Sequence, residues 1–212
     1  MAIETKVFDW QNEINKNELN ECAQKLKDGG IVIFPTETVY GIGTNALCQE
    51  SVKRIYEVKE RPDEKPLSIM VSNIDEINKY AVIENDVEKK IIESFMPGPI
   101  TIILKKKEGI FDYISSGKDT IGIRIPDNII MLELLKKAEI PIVAPSANIS
   151  GRPSGIIFEE ILKDFNGKVD VAINGGKCEI SEPSTIVQVI NNEPIILREG
   201  KISLNEIKMV IK

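Results

Sequence analysis

The chain has 212 residues, of which 42% are apolar and 28% charged; its net charge is −6 and it contains no histidine. That length fits one domain with a substantial core, and no apolar stretch approaches the roughly 20 residues of a membrane-spanning helix. The absence of histidine excludes Ser-His-Asp and Cys-His nucleophiles and His-ligated metal centres, and the acidic balance argues against wholesale wrapping of nucleic acid, leaving room only for a local basic patch.

In chain order, residues 1–10 hold Glu4, Lys6 and Asp9 and lack the core of a signal peptide, which points to a cytoplasmic protein. Leu19, Cys22, Ala23 and Leu26 recur at i, i+3, i+4 and i+7, so residues 17–28 read as an amphipathic helix stopped by Gly29-Gly30. Residues 31–34 form a short buried strand that empties into Pro35-Thr36-Glu37-Thr38-Val39-Tyr40-Gly41. Ser51 is placed to cap a helix whose Val52, Ile55, Tyr56 and Val58 face inward and which ends before Pro62. Residues 67–71 are the next strand. Helices over 74–80 and 87–95 precede a break at Pro97-Gly98-Pro99.

Beyond the break, residues 100–104 and 120–125 read as strands and 129–138 as a helix. Ile142-Val143-Ala144 is a third buried run, closed by Pro145-Ser146-Ala147-Asn148. A helix near 157–165 follows, then strands near 169–173, 184–189 and 195–197, and a closing helix over 204–211. No repeat, low-complexity tract or long linker divides the chain. The expected fold is α/β: a single domain over residues 1–212 with a twisted, mixed sheet flanked by helices, since some strand connections are too short for helical crossovers. Cys22, Cys48 and Cys178 lie far apart without a C-x-x-C pair, as reduced thiols do.

Several segments carry chemistry. Lys59, Arg61 and Lys65 cluster around prolines; Arg61 and Lys65 each precede a proline and so sit on extended backbone. Fork and point charge together suit an anion such as phosphate, although a solvated loop balancing Glu60, Asp63 and Glu64 would look similar. The chain has no G-x-x-x-x-G-K-[ST] phosphate loop. On a strand, Thr120, Gly122 and Arg124 share one face and Ile121, Ile123 and Ile125 the other. A face of hydroxyl, glycine and guanidinium is either a ligand wall or a half-exposed surface.

The stretch from Ala144 to Gly155 leaves a buried strand into small and hydroxyl residues, where open α/β sheets place ligands. Glu182-Pro183-Ser184-Thr185 repeats that pattern, and Arg198-Glu199-Gly200 ends the last strand with a cation. Gly41-x-Gly43-x-x-Ala46 matches a dinucleotide fingerprint in letters only, because Pro35–Tyr40 separate it from its strand and the expected helix starts near Ser51.

Together the segments 34–41, 59–67, 96–101, 121–126 and 144–151, with Ser184-Thr185 and 197–200, resemble the YrdC-like family in order and over nearly the whole chain. Its best-known members are threonylcarbamoyl-AMP synthases. The resemblance implies a YrdC-like fold and an enzyme joining L-threonine, bicarbonate and ATP into threonylcarbamoyl-adenylate and pyrophosphate. A separate tRNA threonylcarbamoyl transferase complex would use the product. By similarity Thr38, Arg124, Ser146 and Ser184 belong with threonine. Arg61, Lys65, Thr120, Ala144 (through its backbone), Ser154 and Arg198 belong with ATP. Lys59 is expected, with Arg61, at the reacting phosphate or bicarbonate.

Mg²⁺ is expected on the ATP phosphates, with no protein ligand to name for it. Met70, where some longer members as aligned carry histidine, is expected as apolar wall or core. Those members also carry a further domain after this one, and the family is associated with a basic surface compatible with RNA. An RNA-binding or ribosome-maturation accessory protein of the same fold is the alternative reading. A carbamoyl-transfer domain of the hydrogenase-maturation type would bring cysteine pairs that this chain lacks.

Overall fold

Asn15 accepts hydrogen bonds from the backbone N–H groups of Asn17 and Glu18 and thereby starts α1 (Lys16–Lys27), whose Cys22, Ala23 and Leu26 face inward. The computed structural model describes residues 4–212; residues 1–3 of the expected 1–212 domain lie outside the described residues. After β1 (Lys6–Asp9) and α1 come β2 (Val32–Phe34), β3 (Gly41–Asn45), α2 (Gln49–Val58), β4 (Ser68–Met70), α3 (Ile74–Tyr80), β5 (Ala81–Val82) and α4 (Asp86–Phe95). Then follow β6 (Ile100–Lys106), α5 (Asp112–Ser115), β7 (Thr120–Arg124), α6 (Ile129–Ala138), β8 (Ile142–Val143), α7 (Phe158–Phe165), β9 (Val171–Asn174), β10 (Thr185–Ile190), β11 (Glu193–Arg198) and α8 (Leu204–Val210).

The described strands join one sheet in the order β1-β9-β2-β3-β8-β4-β7-β6-β10-β11, with β5 on β6. It is mixed, as the short connections required: β4/β7 and β6/β10 are parallel, whereas β2/β3, β6/β7 and β10/β11 are antiparallel. Strand alternation divides the core. Val32 and Phe34 pack with α1 and α6 through Leu26, Met131 and Leu134. Ile31 and Ile33 join the larger core of Ile55, Ile91, Ile102, Ile123 and Ile161.

One strand had no counterpart in the sequence reading, and one expected helix cap is corrected. Gly41 to Asn45 is a strand. A Cβ on Gly41 would lie 2.4 Å from Phe34 Cε2, and one on Gly43 would lie 2.5 Å from the Val143 carbonyl oxygen. These glycines therefore let the Phe34 ring and the neighbouring strand close on β3, which accounts for the fingerprint letters. The N-cap of α2 is Cys48 rather than Ser51. Ser51 is buried in the first turn and donates its hydroxyl hydrogen to Cys48 Sγ at 3.0 Å.

Candidate active site

Register builds the floor of the site. Ser68 pairs with Gly122, Gly122 with Ile103 and Ile103 with Gln188, a row crossing β4, β7, β6 and β10. Met70 lies beside Arg124 in the next row. These residues line a cavity of about 780 Å³, within the range of small-molecule sites. On the reverse side Ile121, Ile123 and Ile102 enter the core. A Cβ on Gly122 would come 3.0 Å from Ser68 Cβ and 3.2 Å from Thr101 Cγ2, so glycine fits this close packing between Thr120 and Arg124.

Arg124 is only 5% exposed. Its Nε donates to the Gly98 carbonyl oxygen at 3.2 Å, and its Nη2 to Glu37 Oε1 at 2.6 Å and Thr38 Oγ1 at 2.9 Å. Nη1 has no hydrogen-bond partner among the described residues, which leaves that edge for the cavity Arg124 lines. Glu37 is equally buried, and its Oε2 has no hydrogen-bond partner among the described residues.

The hydroxyl hydrogens beside this guanidinium can be assigned. Thr36 donates to the Val39 carbonyl oxygen at 2.6 Å, so its 2.8 Å contact with Thr38 must be a bond donated by Thr38. Asn148 Nδ2 donates to the carbonyl oxygens of Ile149 and Arg152, which orients its Oδ1 toward Ser146 Oγ at 2.6 Å; Ser146 is the donor there. Thr38 and Ser146 both line the cavity. With their hydrogens used inside the protein, they offer a ligand only lone pairs.

At the other end, Arg198 donates from Nε and Nη2 to the Ser184 carbonyl oxygen and from Nη2 to Ser184 Oγ, which also meets Thr101 Oγ1 at 2.9 Å. Gly200 makes this possible, since a Cβ there would be 2.3 Å from the Pro183 carbonyl oxygen. Arg61 donates to the carbonyl oxygens of Lys65 and Pro66. Burial lowers the pKa of both arginines; the nearby Arg124 and Arg61 charges lower that of Arg198 further.

Of the residues expected at the site, Thr38, Arg124, Ser146 and Ser184 line the cavity, as do Arg61, Thr120, Ala144 and Arg198. Met70 lines it too and is buried, as apolar wall. Lys59, Lys65 and Ser154 are not among the lining residues. Lys59 is 2% exposed, and its ammonium is held by the carbonyl oxygens of Ser146 and Asn148. Burial, then the Arg61 charge, lowers its pKa to about 7. Lys65 lies on the exposed side of its loop, where its carbonyl oxygen accepts from Tyr56 and Arg61. Ser154 is half-buried beyond the wall, beside Gly155, whose carbonyl oxygen accepts from the Tyr40 N–H.

Glu37 and Asn148 support the lining groups and Thr101 lines the cavity beside Ser184, yet none of the three had an assigned role in the sequence. A charge inside the otherwise neutral 35–41 segment was the available signal for Glu37. Lys118 and Asp119, exposed at the cavity, gave none.

The Sua5/YciO/YrdC family model, described as "Telomere recombination", matches residues 24–200. The chain belongs to the Sua5/YciO/YrdC family. A Methanocaldococcus jannaschii relative is 45% identical over 95% of both chains. A Pyrococcus abyssi protein named threonylcarbamoyl-AMP synthase is 38% identical over 98% of this chain and 61% of its own. A Bacillus subtilis protein of the same name is 34% identical, over 96% and 60%. The chain thus spans about three fifths of these two named relatives. The structure of P. abyssi Sua5 complexed with L-threonine superposes with a TM-score of 0.94 at 38% identity, again over 98% and 61%. Escherichia coli YciO, 23% identical over 97% of this chain and 99% of its own, shares the fold with a TM-score of 0.84. In this Sua5/YciO/YrdC chain no described helix is long and apolar enough to cross a membrane.

Proposed function

We propose that residues 1–212 work as one cytoplasmic domain with threonylcarbamoyl-AMP synthase activity. The substrates are L-threonine, bicarbonate and ATP; the products are threonylcarbamoyl-adenylate, pyrophosphate and water. The observation that carries the reading is that one cavity joins the outward edge of Arg124 and the lone pairs of Thr38 and Ser146 to the guanidiniums of Arg61 and Arg198. The names of the P. abyssi and B. subtilis relatives support it.

The Nη1 edge of Arg124 takes the threonine carboxylate. The amine faces Thr38 and Ser146, and Ser184 closes that end. The ammonium gives one proton to solvent, and the neutral amine and bicarbonate form the carbamate with loss of water. A carbamate oxygen then attacks the α-phosphorus. The new P–O bond forms as the bond to the bridging oxygen of pyrophosphate breaks. Arg61 and Arg198 neutralise charge on the phosphates, and Thr120 and the Ala144 backbone orient the nucleotide. Such a step is served by placement and fixed positive charge. Lys59 holds the Ser146 loop in place. Lys65 and Ser154 reach ATP only if their loops move inward.

Mg²⁺ would arrive on the ATP phosphates and keep several waters. Asp119 is the one carboxylate lining the cavity among the described residues, and no group of three ligating side chains accompanies it. The adenylate is handed to a separate tRNA threonylcarbamoyl transferase complex.

The test incubates purified protein with ATP, Mg²⁺, threonine and bicarbonate and measures pyrophosphate and the adenylate. Both should appear, and both should require threonine. Pyrophosphate release indifferent to threonine removes the proposal; retention of RNA with no release at all supports the accessory-protein alternative.

A further inference from the structure

The three guanidiniums of the cavity differ in their company. Arg61 and Arg198 give their hydrogen bonds to neutral carbonyl and hydroxyl oxygens, and neither has a carboxylate partner within salt-bridge distance among the described residues. That end carries uncompensated positive charge, as phosphates require. Arg124 is paired at 2.6 Å with Glu37, and both side chains are 6% exposed. That end is neutral before any ligand enters.

We infer that Glu37 is a specificity-determining positioning residue, which acts through Arg124 to make this end accept a zwitterionic amino acid and discriminate against a plain carboxylate. The inference rests on the proposed placement of the amino acid at Arg124. Glu37 fixes the Nη2 edge inward and so presents Nη1. Its charge offsets that of Arg124, so a carboxylate is held less strongly at this end than an unpaired guanidinium would hold it. A ligand that brings its own cation restores the balance, and the acceptor oxygens of Thr38 and Ser146 are set to receive it. The buried, unpartnered Oε2 of Glu37 fits the same account: this carboxylate serves as a charge and satisfies only part of its hydrogen-bonding capacity.

Isothermal titration with L-threonine and with 3-hydroxybutyrate, which lacks the ammonium group, tests this. The wild type should prefer threonine strongly. In Glu37→Gln, similar in shape but neutral, the preference should fall by about tenfold or more, mainly through tighter binding of 3-hydroxybutyrate. ATP affinity should be unchanged. A folded variant with the wild-type preference overturns the inference. If the variant does not fold, the wild type alone decides: threonine affinity should drop as pH rises through the amine pKa, and equal affinity for zwitterion and anion overturns the inference. Failure of the wild type to bind threonine at all removes the functional reading itself, and this inference with it.

Discussion

The Lys59 ammonium donates to the carbonyl oxygen of Ser146 at 2.6 Å, across 87 residues of sequence. A second bond to the Asn148 carbonyl oxygen at 2.5 Å, and a backbone bond from Ser150 N–H to the Lys59 carbonyl oxygen at 2.8 Å, complete the join. The residue closing α2 thus pins the loop that presents Ser146 to the cavity.

Replacing Lys59 by Met should keep the volume and remove both side-chain donors. Two carbonyl oxygens then lose their partner, at a cost of about 2–4 kcal/mol in unfolding free energy. Urea denaturation measures this, alongside turnover, which should fall as the Ser146 loop loosens. A variant as stable as the parent would show that the ammonium contributes nothing net.

The same lysine predicts a pH dependence. Burial lowers its folded pKa to about 7 from an ordinary 10.5. Below 7 both folded and unfolded chains hold the proton, and the folded state bears the full penalty of the buried charge. Between 7 and 10.5 the folded chain has shed a proton that the unfolded chain retains, so stability should rise with pH. The slope is at most about 1.4 kcal/mol per pH unit. Denaturation of wild type and Lys59→Met at several pH values isolates the contribution; parallel curves would contradict it.

Arg124 and Glu37 should behave as a unit. Arg124→Ala leaves a buried carboxylate unpaired and should lower stability by about 3–5 kcal/mol, while Arg124→Ala/Glu37→Ala should recover part of that loss. Threonine binding should be weakened in both variants far more than ATP binding. Additive losses in a double-mutant cycle would mean that the pair is not coupled.

Gly200→Ala tests the other end. The added methyl would collide with the Pro183–Thr185 backbone, which can yield only by moving away. Arg198 would lose its hold on Ser184, and steric strain of this kind costs about 1–3 kcal/mol. The KM for ATP should rise while that for threonine changes less. An unchanged KM for ATP would dissociate Arg198 from the nucleotide.

Periodicity placed most elements well. The expected 74–80 and 129–138 helices coincide with α3 and α6, because an apolar stripe at helical spacing is a local record of burial. The strand expected at 120–125, which runs over Thr120–Arg124, was legible face by face for the same reason, with isoleucines inward and Thr120, Gly122 and Arg124 toward the cavity. The short β1, β5 and α5 were not. Their few residues carry too little pattern, and partners elsewhere in the chain fix them: β1 pairs with β9, 165 positions along in register at Lys6 and Val171.

By itself, the amino-acid sequence determined the alternation of helices and strands, a mixed sheet, and most of the residues that meet in the cavity. Each of these is written in spacing, in turn residues or in the local run of hydroxyls and cations. Only the tertiary structure decided that β3 is a strand, that Lys59 supports a loop from behind, and that Glu37 neutralises one guanidinium of three. Those facts depend on which distant segments the sheet order brings within 3 Å, and groups that meet across 87 residues leave no mark in either local pattern.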